Sequence, residues 1–155
     1  MNKQQPMFIG VDLVGTNVEA AVVRDGEVLA SKKKKTKAYK GVDTVVDRIE
    51  KTVRKASKKM DADPDDFEAL CIGAPGAIDS STGIVHDAPN LGWSNVPLGE
   101  MLQDRLGLPV VVDNDVNIGV IGEYVYGAGQ GVLDMVGIWV GTGIGGGIII
   151  DGKPH

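Results

Sequence analysis

The feature that most restricts the fold is the passage Leu108-Pro-Val-Val-Val-Asp-Asn-Asp-Val-Asn117, where a short apolar run stops in three polar residues and then turns helical. Pro109 to Val112 reads as a buried strand, because its apolar residues, valines among them, are bounded by Gly107 on one side and Asp113 on the other. Val116 to Tyr126 reads as a helix. A strand that feeds a helix is a unit of an open α/β sheet, whose ligands bind beyond the carboxyl ends of the strands. Asp113, Asn114 and Asp115 therefore stand where chemistry is expected. Helix capping also favours Asp and Asn at such a place, but a cap uses one side chain. Three adjacent acceptors leave room for a working carboxylate beside the cap.

Upstream, Met7 to Leu13, Val18 to Val23 and Glu27 to Ser31 read as a three-strand meander, turning at Val14-Gly-Thr-Asn17 and at Asp25-Gly26. The third strand runs into Lys32 to Lys35. A lysine run invites a phosphate or nucleic-acid reading, yet lysines also guard a sheet edge, and in an acidic chain the edge reading is favoured. From Val42, apolar residues fall at 42, 45, 46, 49, 53 and 56, one face of an amphipathic crossover helix that the Asp61 to Asp66 stretch with Pro64 ends. Glu68 to Gly73 is the next buried strand, with Cys71 read as a small core residue. Ala74 to Val96 reads as a long connection of the kind that carries function. Pro97 to Arg105 reads as a short helix with Leu98, Met101 and Leu102 inward. Gly119 and Gly122 inside the helix after Asp115 predict close approach of another backbone. Met135 to Val140 is a further strand, and Gly141 to Gly147 a turn running into Ile148 to Ile150.

Composition narrows the partner. The net charge of −5 argues against a nucleic-acid or anionic-membrane surface, which leaves a small molecule. One cysteine in 155 residues forms no internal disulfide and fits a reducing cytoplasm. No apolar stretch approaches the roughly 18 residues of a membrane span, and Met1 to Pro6 lacks the apolar segment of a signal peptide. His86 and His155 stand apart from Cys or paired carboxylates, so no transition-metal site is readable.

Two turns have the composition of anion cradles: Asp12-Leu-Val-Gly-Thr-Asn17 and Gly141-Thr-Gly-Ile-Gly-Gly-Gly147. Glycines let backbone N–H groups converge on an oxyanion, and a Thr hydroxyl adds a donor. Neither is a Walker loop or a dinucleotide fingerprint, since no Gly-Lys-Ser/Thr follows and strands rather than helices come next. Each alone is also compatible with a plain hairpin, with Asp12 capping its turn.

The order of elements, strand, Asp-x-x-Gly-Thr, two strands, helix, strand, long loop, helix, strand, Asn-Asp, helix, strand, Gly-Thr-Gly, resembles the actin-like ATPase (ribonuclease H-like) fold of sugar kinases. More closely, Ile72-Gly-Ala-Pro-Gly76, Pro89-Asn-Leu-Gly-Trp93, Asn114-Asp-Val-Asn117 and Val140-Gly-Thr-Gly-Ile-Gly-Gly-Gly147 resemble the ROK family, especially its bacterial glucokinases, over residues 7 to 153. The resemblance implies an α/β domain with a mixed sheet, a three-strand antiparallel meander followed by βαβ units. It implies a sugar-kinase domain over residues 1–140 and, over 141–155, the second phosphate turn and first strand of a further domain. Asp115 would be the general base toward the attacking sugar hydroxyl. Asn114 and Asn90 would bind sugar hydroxyls, and Pro75-Gly76 would shape the sugar pocket. Asp12, Gly15, Thr16 and Asn17 would face the phosphates of ATP and Mg²⁺, with Asp12 toward the metal; Gly141, Thr142 and Gly143 would form the second phosphate turn. Phosphoryl transfer needs positioning and charge neutralisation, which carboxylate, amides and backbone donors supply.

Val14 stands where the family has the first glycine of its phosphate turn. The chain also ends before the family's Glu-x-Gly-His sugar contact and its zinc motif. The expected activity is ATP-dependent phosphorylation of glucose in the cytoplasm, with the 155-residue chain inactive alone and its strand Gly146 to Ile150 an exposed edge through which copies associate. Alternatives are another sugar such as N-acetylmannosamine or fructose, polyphosphate in place of ATP, a non-catalytic sugar-binding module, and a ROK repressor. The short stretch before Gly10, where the family's repressors carry a helix-turn-helix domain, and the acidic charge weigh against the repressor.

Overall fold

The computed structural model describes residues 5–141 and 143–155 and divides into two compact units, Met1–Asp113 and Asn114–His155. In the first unit, β1 (Met7–Leu13), β2 (Asn17–Arg24) and β3 (Glu27–Lys35) form the antiparallel meander. Helix α1 (Val42–Ser57) leads to β4 (Phe67–Ala74), which runs parallel to β1. Three short strands follow, β5 (Ala77–Asp79), β6 (Ile84–Ala88) and β7 (Trp93–Val96), then α2 (Leu98–Leu106) and β8 (Val110–Asn114). The main sheet has the order β3-β2-β1-β4-β8.

Alternation along the strands decides which face is core. Ile9, Val11 and Leu13, Val18, Ala20 and Val22, Leu70, Ile72 and Ala74, and Val112 are buried in one core with Val45, Val46, Ile49 and Val53 of α1 and Leu98, Leu102 and Leu106 of α2. The 3.6-residue period of α1 and the two-residue period of the strands thus meet on one surface. The opposite face of the sheet is more open. It carries Phe8, exposed at 44%, and Val111, exposed at 50%, so the run Pro109 to Val112 is half-buried rather than the fully buried strand its valines predict. Cys71 is exposed on this same face, because its neighbours Leu70 and Ile72 take the core side of β4, which corrects its reading as a core residue.

A further expectation is corrected in the first unit. The connection Ala74 to Val96 is not an irregular loop but a separate three-stranded antiparallel sheet, β5-β6-β7, whose Val85, Trp93 and Val96 are buried. Its strands are too short, and too broken by turn residues, for periodicity to reveal them. Lys32 to Lys35 lie inside β3, which is an edge strand as the lysines predict.

The second unit holds α3 (Asp115–Tyr126), β9 (Met135–Val140), β10 (Ile144–Ile150) and β11 (Lys153–Pro154). The strands form an antiparallel sheet of order β11-β10-β9. Strand β10 is therefore central, not the unpaired edge expected for Gly146 to Ile150. What lies bare is one face of the sheet. Helix α3 packs on the other face through glycines: a Cβ on Gly145 would stand 2.6 Å from Val116 Cγ2, and one on Gly147 2.8 Å from Val120 Cγ2. The close approach predicted from Gly119 and Gly122 is thus made from the strand side. Gly119 meets only the Trp139 ring, at 3.3 Å, and Gly122 faces open space. No helix among the described residues is long and apolar enough to cross a membrane.

Candidate functional site

Three segments of the first unit converge at the ends of its strands. Asp12 is exposed, lies opposite Gly73 of β4, and is followed by the β1–β2 turn. In that turn the Val14 N–H donates to the Asn17 carbonyl at 2.9 Å, and Asn17 Nδ2 donates to Thr16 Oγ1 at 3.1 Å. The turn is clasped from the end of β3 by Thr36, fully buried, whose hydroxyl donates to the Val14 carbonyl at 2.7 Å and whose N–H donates to the Thr16 carbonyl at 3.0 Å. Val14 has no positive φ, so valine meets no backbone strain where the family pattern has glycine.

Gly15 owes its place to crowding rather than to φ. A Cβ there would stand 3.0 Å from the Asn90 carbonyl oxygen, so the first phosphate turn and the Asn90 loop touch. Gly76 answers to both constraints: its φ is +104°, and a Cβ would collide with the Asp87 carbonyl and stand 2.9 Å from Ala88 Cα. Pro75-Gly76 is thereby held against the chain just before Pro89-Asn90. Asp12, Gly15, Thr16, Asn17, Pro75, Gly76 and Asn90 thus belong to one neighbourhood, with Asn90 exposed at its mouth.

In the second unit Asn114 is the cap of α3, its Oδ1 accepting from the backbone N–H of Val116 at 2.9 Å and of Asn117 at 3.2 Å. Asp115 follows in the first turn, half-buried, with Oδ1 accepting from the Val116 N–H at 2.9 Å. Capping is therefore carried by the amide side chain. A carboxylate at this helix end also gains from the positive end of the helix dipole. Gly141 and Gly143 are exposed and form a tight turn in which the Gly141 N–H donates to the Gly143 carbonyl at 2.8 Å. Thr142 lies outside the described residues. The expected seven-residue turn is shorter than its glycines suggest, since Gly145, Gly146 and Gly147 are in β10.

Charge near these strand ends is local. Packing around the Cys71 thiol, and then the Asp113 carboxylate nearby, hold that thiol above its ordinary range. Asp79, at the β5–β6 turn, is held down to about 2 by hydrogen bonds from the Ser81 and Thr82 hydroxyls and the Ser81 N–H. Ser81 Oγ lies 2.6 Å and Ser81 N 3.0 Å from Asp79 Oδ1. Among the described residues no three His, Cys, Asp or Glu gather as a metal cluster. Magnesium commonly needs only one or two protein carboxylates beside phosphate oxygens and water, and the exposed Asp12 at a hydrogen-bonded turn fits that donor set. Sequence reasoning missed Thr36. Its only signal was a lone threonine closing a lysine run.

An edge meander whose first turn carries Asp and Gly-Thr, a parallel β1–β4 pair and a strand that ends in Asn-Asp at a helix cap make a mixed α/β domain of the actin-like ATPase fold. Within that class the chain belongs to the ROK family, whose profile matches residues 8–155. It is 40% identical over 148 residues to a glucokinase of Streptomyces coelicolor, covering 95% of this chain and 44% of that protein. It is 35% identical over 155 residues to a xylose repressor of Caldicellulosiruptor bescii, covering 99% of this chain and 39% of that one. The crystal structure of a ROK glucokinase from Streptomyces griseus with glucose and AMPPNP superposes with a TM-score of 0.87 at 43% identity, covering 96% of this chain and 46% of that one. The chain spans less than half the length of the curated glucokinases it matches.

Proposed function

We propose that this chain is the N-terminal part of a cytoplasmic ATP-dependent sugar kinase whose acceptor is the 6-hydroxyl of glucose, with residues 1–140 as its first domain and Gly141 opening the second. The observation that carries the reading is the corner at the head of α3. Asn114 serves as the cap, so the Asp115 carboxylate beside it is not required for that role. In the reaction, Asp115 accepts the hydroxyl proton as the sugar oxygen attacks the γ-phosphorus, the bond to the ADP oxygen breaks, and ADP departs. Asn90 and the Asn114 amide orient sugar hydroxyls, and the Pro75-Gly76 turn bounds the sugar. The β1–β2 turn and the Gly141–Gly143 turn receive phosphate oxygens. Asp12 would hold a magnesium ion, which would supply charge neutralisation. The similarity to a glucokinase with glucose and AMPPNP supports this assignment of substrates.

The test is Asp115→Asn in the full-length protein. We expect kcat to fall on the order of a thousandfold or more with glucose affinity little changed, because the base is lost and the positioning remains. More than about a tenth of the parent rate would remove Asp115 from the role. A second reading, a sugar-responsive repressor that binds sugar without phosphorylating it, is supported by the xylose repressor match over 99% of the chain. Glucose-dependent release of ADP separates the two.

A further inference from the structure

Among the described residues the buried polar side chains are Thr36, Thr52 and Ser57. Thr52 and Ser57 lie on α1, where their hydroxyls donate to carbonyls one turn back, of Arg48 at 2.6 Å and of Val53 at 3.1 Å. That is the usual back-bonding of a hydroxyl within a helix. Thr36 is different. It stands just past the end of β3, and its hydroxyl reaches the Val14 carbonyl, 22 residues away in sequence, at 2.7 Å. A buried hydroxyl must find a partner, and one that finds it on another segment holds that segment in place.

What Thr36 holds is the orientation of two peptide planes. Val14 and Asn17 face each other across a two-residue turn, a position at which a hairpin exchanges both N–H···O bonds. Here the Val14 N–H donates to the Asn17 carbonyl at 2.9 Å, but the Val14 carbonyl is turned to the Thr36 hydroxyl instead. The Thr16 carbonyl accepts from the Thr36 N–H at 3.0 Å. The described peptide bonds are trans, and the carbonyl and N–H of a trans unit point in opposite directions. The Gly15 N–H, which shares a unit with the Val14 carbonyl, and the Asn17 N–H, which shares one with the Thr16 carbonyl, therefore point away from the buried Thr36. That is the open side of the turn, where Thr16 is exposed. Thr16 adds a third donor: its Oγ1 accepts from Asn17 Nδ2 at 3.1 Å, which leaves its own hydrogen to donate outward.

We propose that Thr36 is the positioning residue of the first phosphate turn: by holding the Val14 and Thr16 carbonyls it keeps the hairpin open and aims the Gly15 N–H, the Asn17 N–H and the Thr16 hydroxyl at one phosphate group of the nucleotide. The inference rests on the reading of the chain as an ATP-dependent kinase. Three convergent donors suit a tetrahedral oxyanion, whose oxygens are all acceptors. Without the Thr36 hydroxyl, the Val14 carbonyl is free to take the Asn17 N–H and close the hairpin, which withdraws that donor from the phosphate. Val14 supports the clasp, since a β-branched residue at negative φ favours extended backbone and leaves Gly15 as the pliant residue of the turn.

The experiment measures binding of AMPPNP and of glucose to the full-length protein by calorimetry, without turnover. Thr36→Val is close in shape and lacks the donor; it should weaken AMPPNP binding about tenfold or more and leave glucose affinity within about twofold. Thr36→Ser keeps the hydroxyl and should hold AMPPNP affinity within about threefold of the parent. Thr52→Val removes a buried hydroxyl of the same kind from α1, so it shares the loss of stability but should bind AMPPNP as the parent does. A further measurement needs no variant to fold: in the parent, the Gly15 and Asn17 amide protons should shift in NMR spectra on adding AMPPNP and not on adding adenosine. Unchanged AMPPNP affinity in Thr36→Val overturns the proposal, as do an equal loss in Thr52→Val, a loss in Thr36→Ser as large as in Thr36→Val, or amide protons that do not respond to AMPPNP. None of these outcomes touches the role given to Asp115, which is read from turnover. A parent that binds no AMPPNP overturns this proposal and the kinase reading together.

Discussion

Single residues here are held by constraints of different kinds, and the difference sets what substitution does. Gly76 combines a positive φ of +104° with a backbone carbonyl where a Cβ would stand. A Gly76→Ala change therefore meets left-handed strain of about 1–3 kcal/mol and a clash that only movement of β6 relieves. The expected result is a loss of at least about 2 kcal/mol in urea unfolding, and an unchanged midpoint would show that the turn yields freely. Asp79 is held by hydrogen bonds to its charged form, which depress its folded pKa to about 2, below the ordinary carboxylate value of 3.8. Its contribution to stability is therefore present above the unfolded pKa and lost as pH falls from about 4 through about 2. Removing the strongest donor with Ser81→Ala should return the Asp79 titration toward the ordinary carboxylate range, as read from its side-chain carboxyl carbon by NMR. A titration that stays where it was would assign the depression to the Thr82 hydroxyl instead.

At the scale of elements, glycine does its work on a strand. Gly137, Gly145 and Gly147 let Val116 and Val120 of α3 settle onto the β9–β10 hairpin, with Asn117 Oδ1 3.4 Å from where a Gly147 Cβ would be. Valine is stiff about χ1 and cannot swing its methyls aside, so Gly147→Ala overpacks this seam. We expect the added methyl to cost about 1–3 kcal/mol of local stability, seen as faster hydrogen exchange along α3. Val120→Ala in the same chain should recover part of the loss, because it removes the methyls in the way. Additive losses in the two single variants would show that the residues do not share the seam. Asn114 and Asp115 lie at the head of this helix, so the seam supports the orientation of the proposed base.

For the whole molecule, the outer face of the second unit's sheet sets the behaviour. Val136, Ile138, Val140 and Ile144 are exposed between 66% and 80%, with Ile148 and Ile150 beside them on the same face. A contiguous β-branched surface of this kind is a docking or association surface in soluble proteins. The 155-residue chain alone should therefore self-associate in a concentration-dependent way, through this face rather than through the edge of β10. Light scattering after size exclusion should show larger species that Ile138→Lys/Ile144→Lys reduces to a monomer. A monomeric parent chain would mean that the face is tolerated bare.

Periodicity stated both the type and the buried side of α1, because that helix is long enough for its apolar spacing to repeat, whereas the meander, β4, α3 and β9 were legible as elements without their buried sides. The candidate site residues were legible as well: Asp12, Asn90, Asn114 and Asp115 are polar residues at points where apolar runs stop, and strand ends are where an α/β sheet presents side chains. Tertiary structure alone decided the rest. The β5-β6-β7 sheet is held by pairings between strands of three to five residues, below the length at which alternation is distinctive. The exposure of Cys71 and Val111 depends on which sheet face the helices cover, and a strand's own residues do not record that choice. Nor could spacing separate the glycines of a turn from those of β10, since the first serve chain reversal and the second make room for valines more than twenty residues away. The reason is common to all three: local sequence encodes local geometry, whereas contact across a fold depends on a partner surface that only the folded chain supplies.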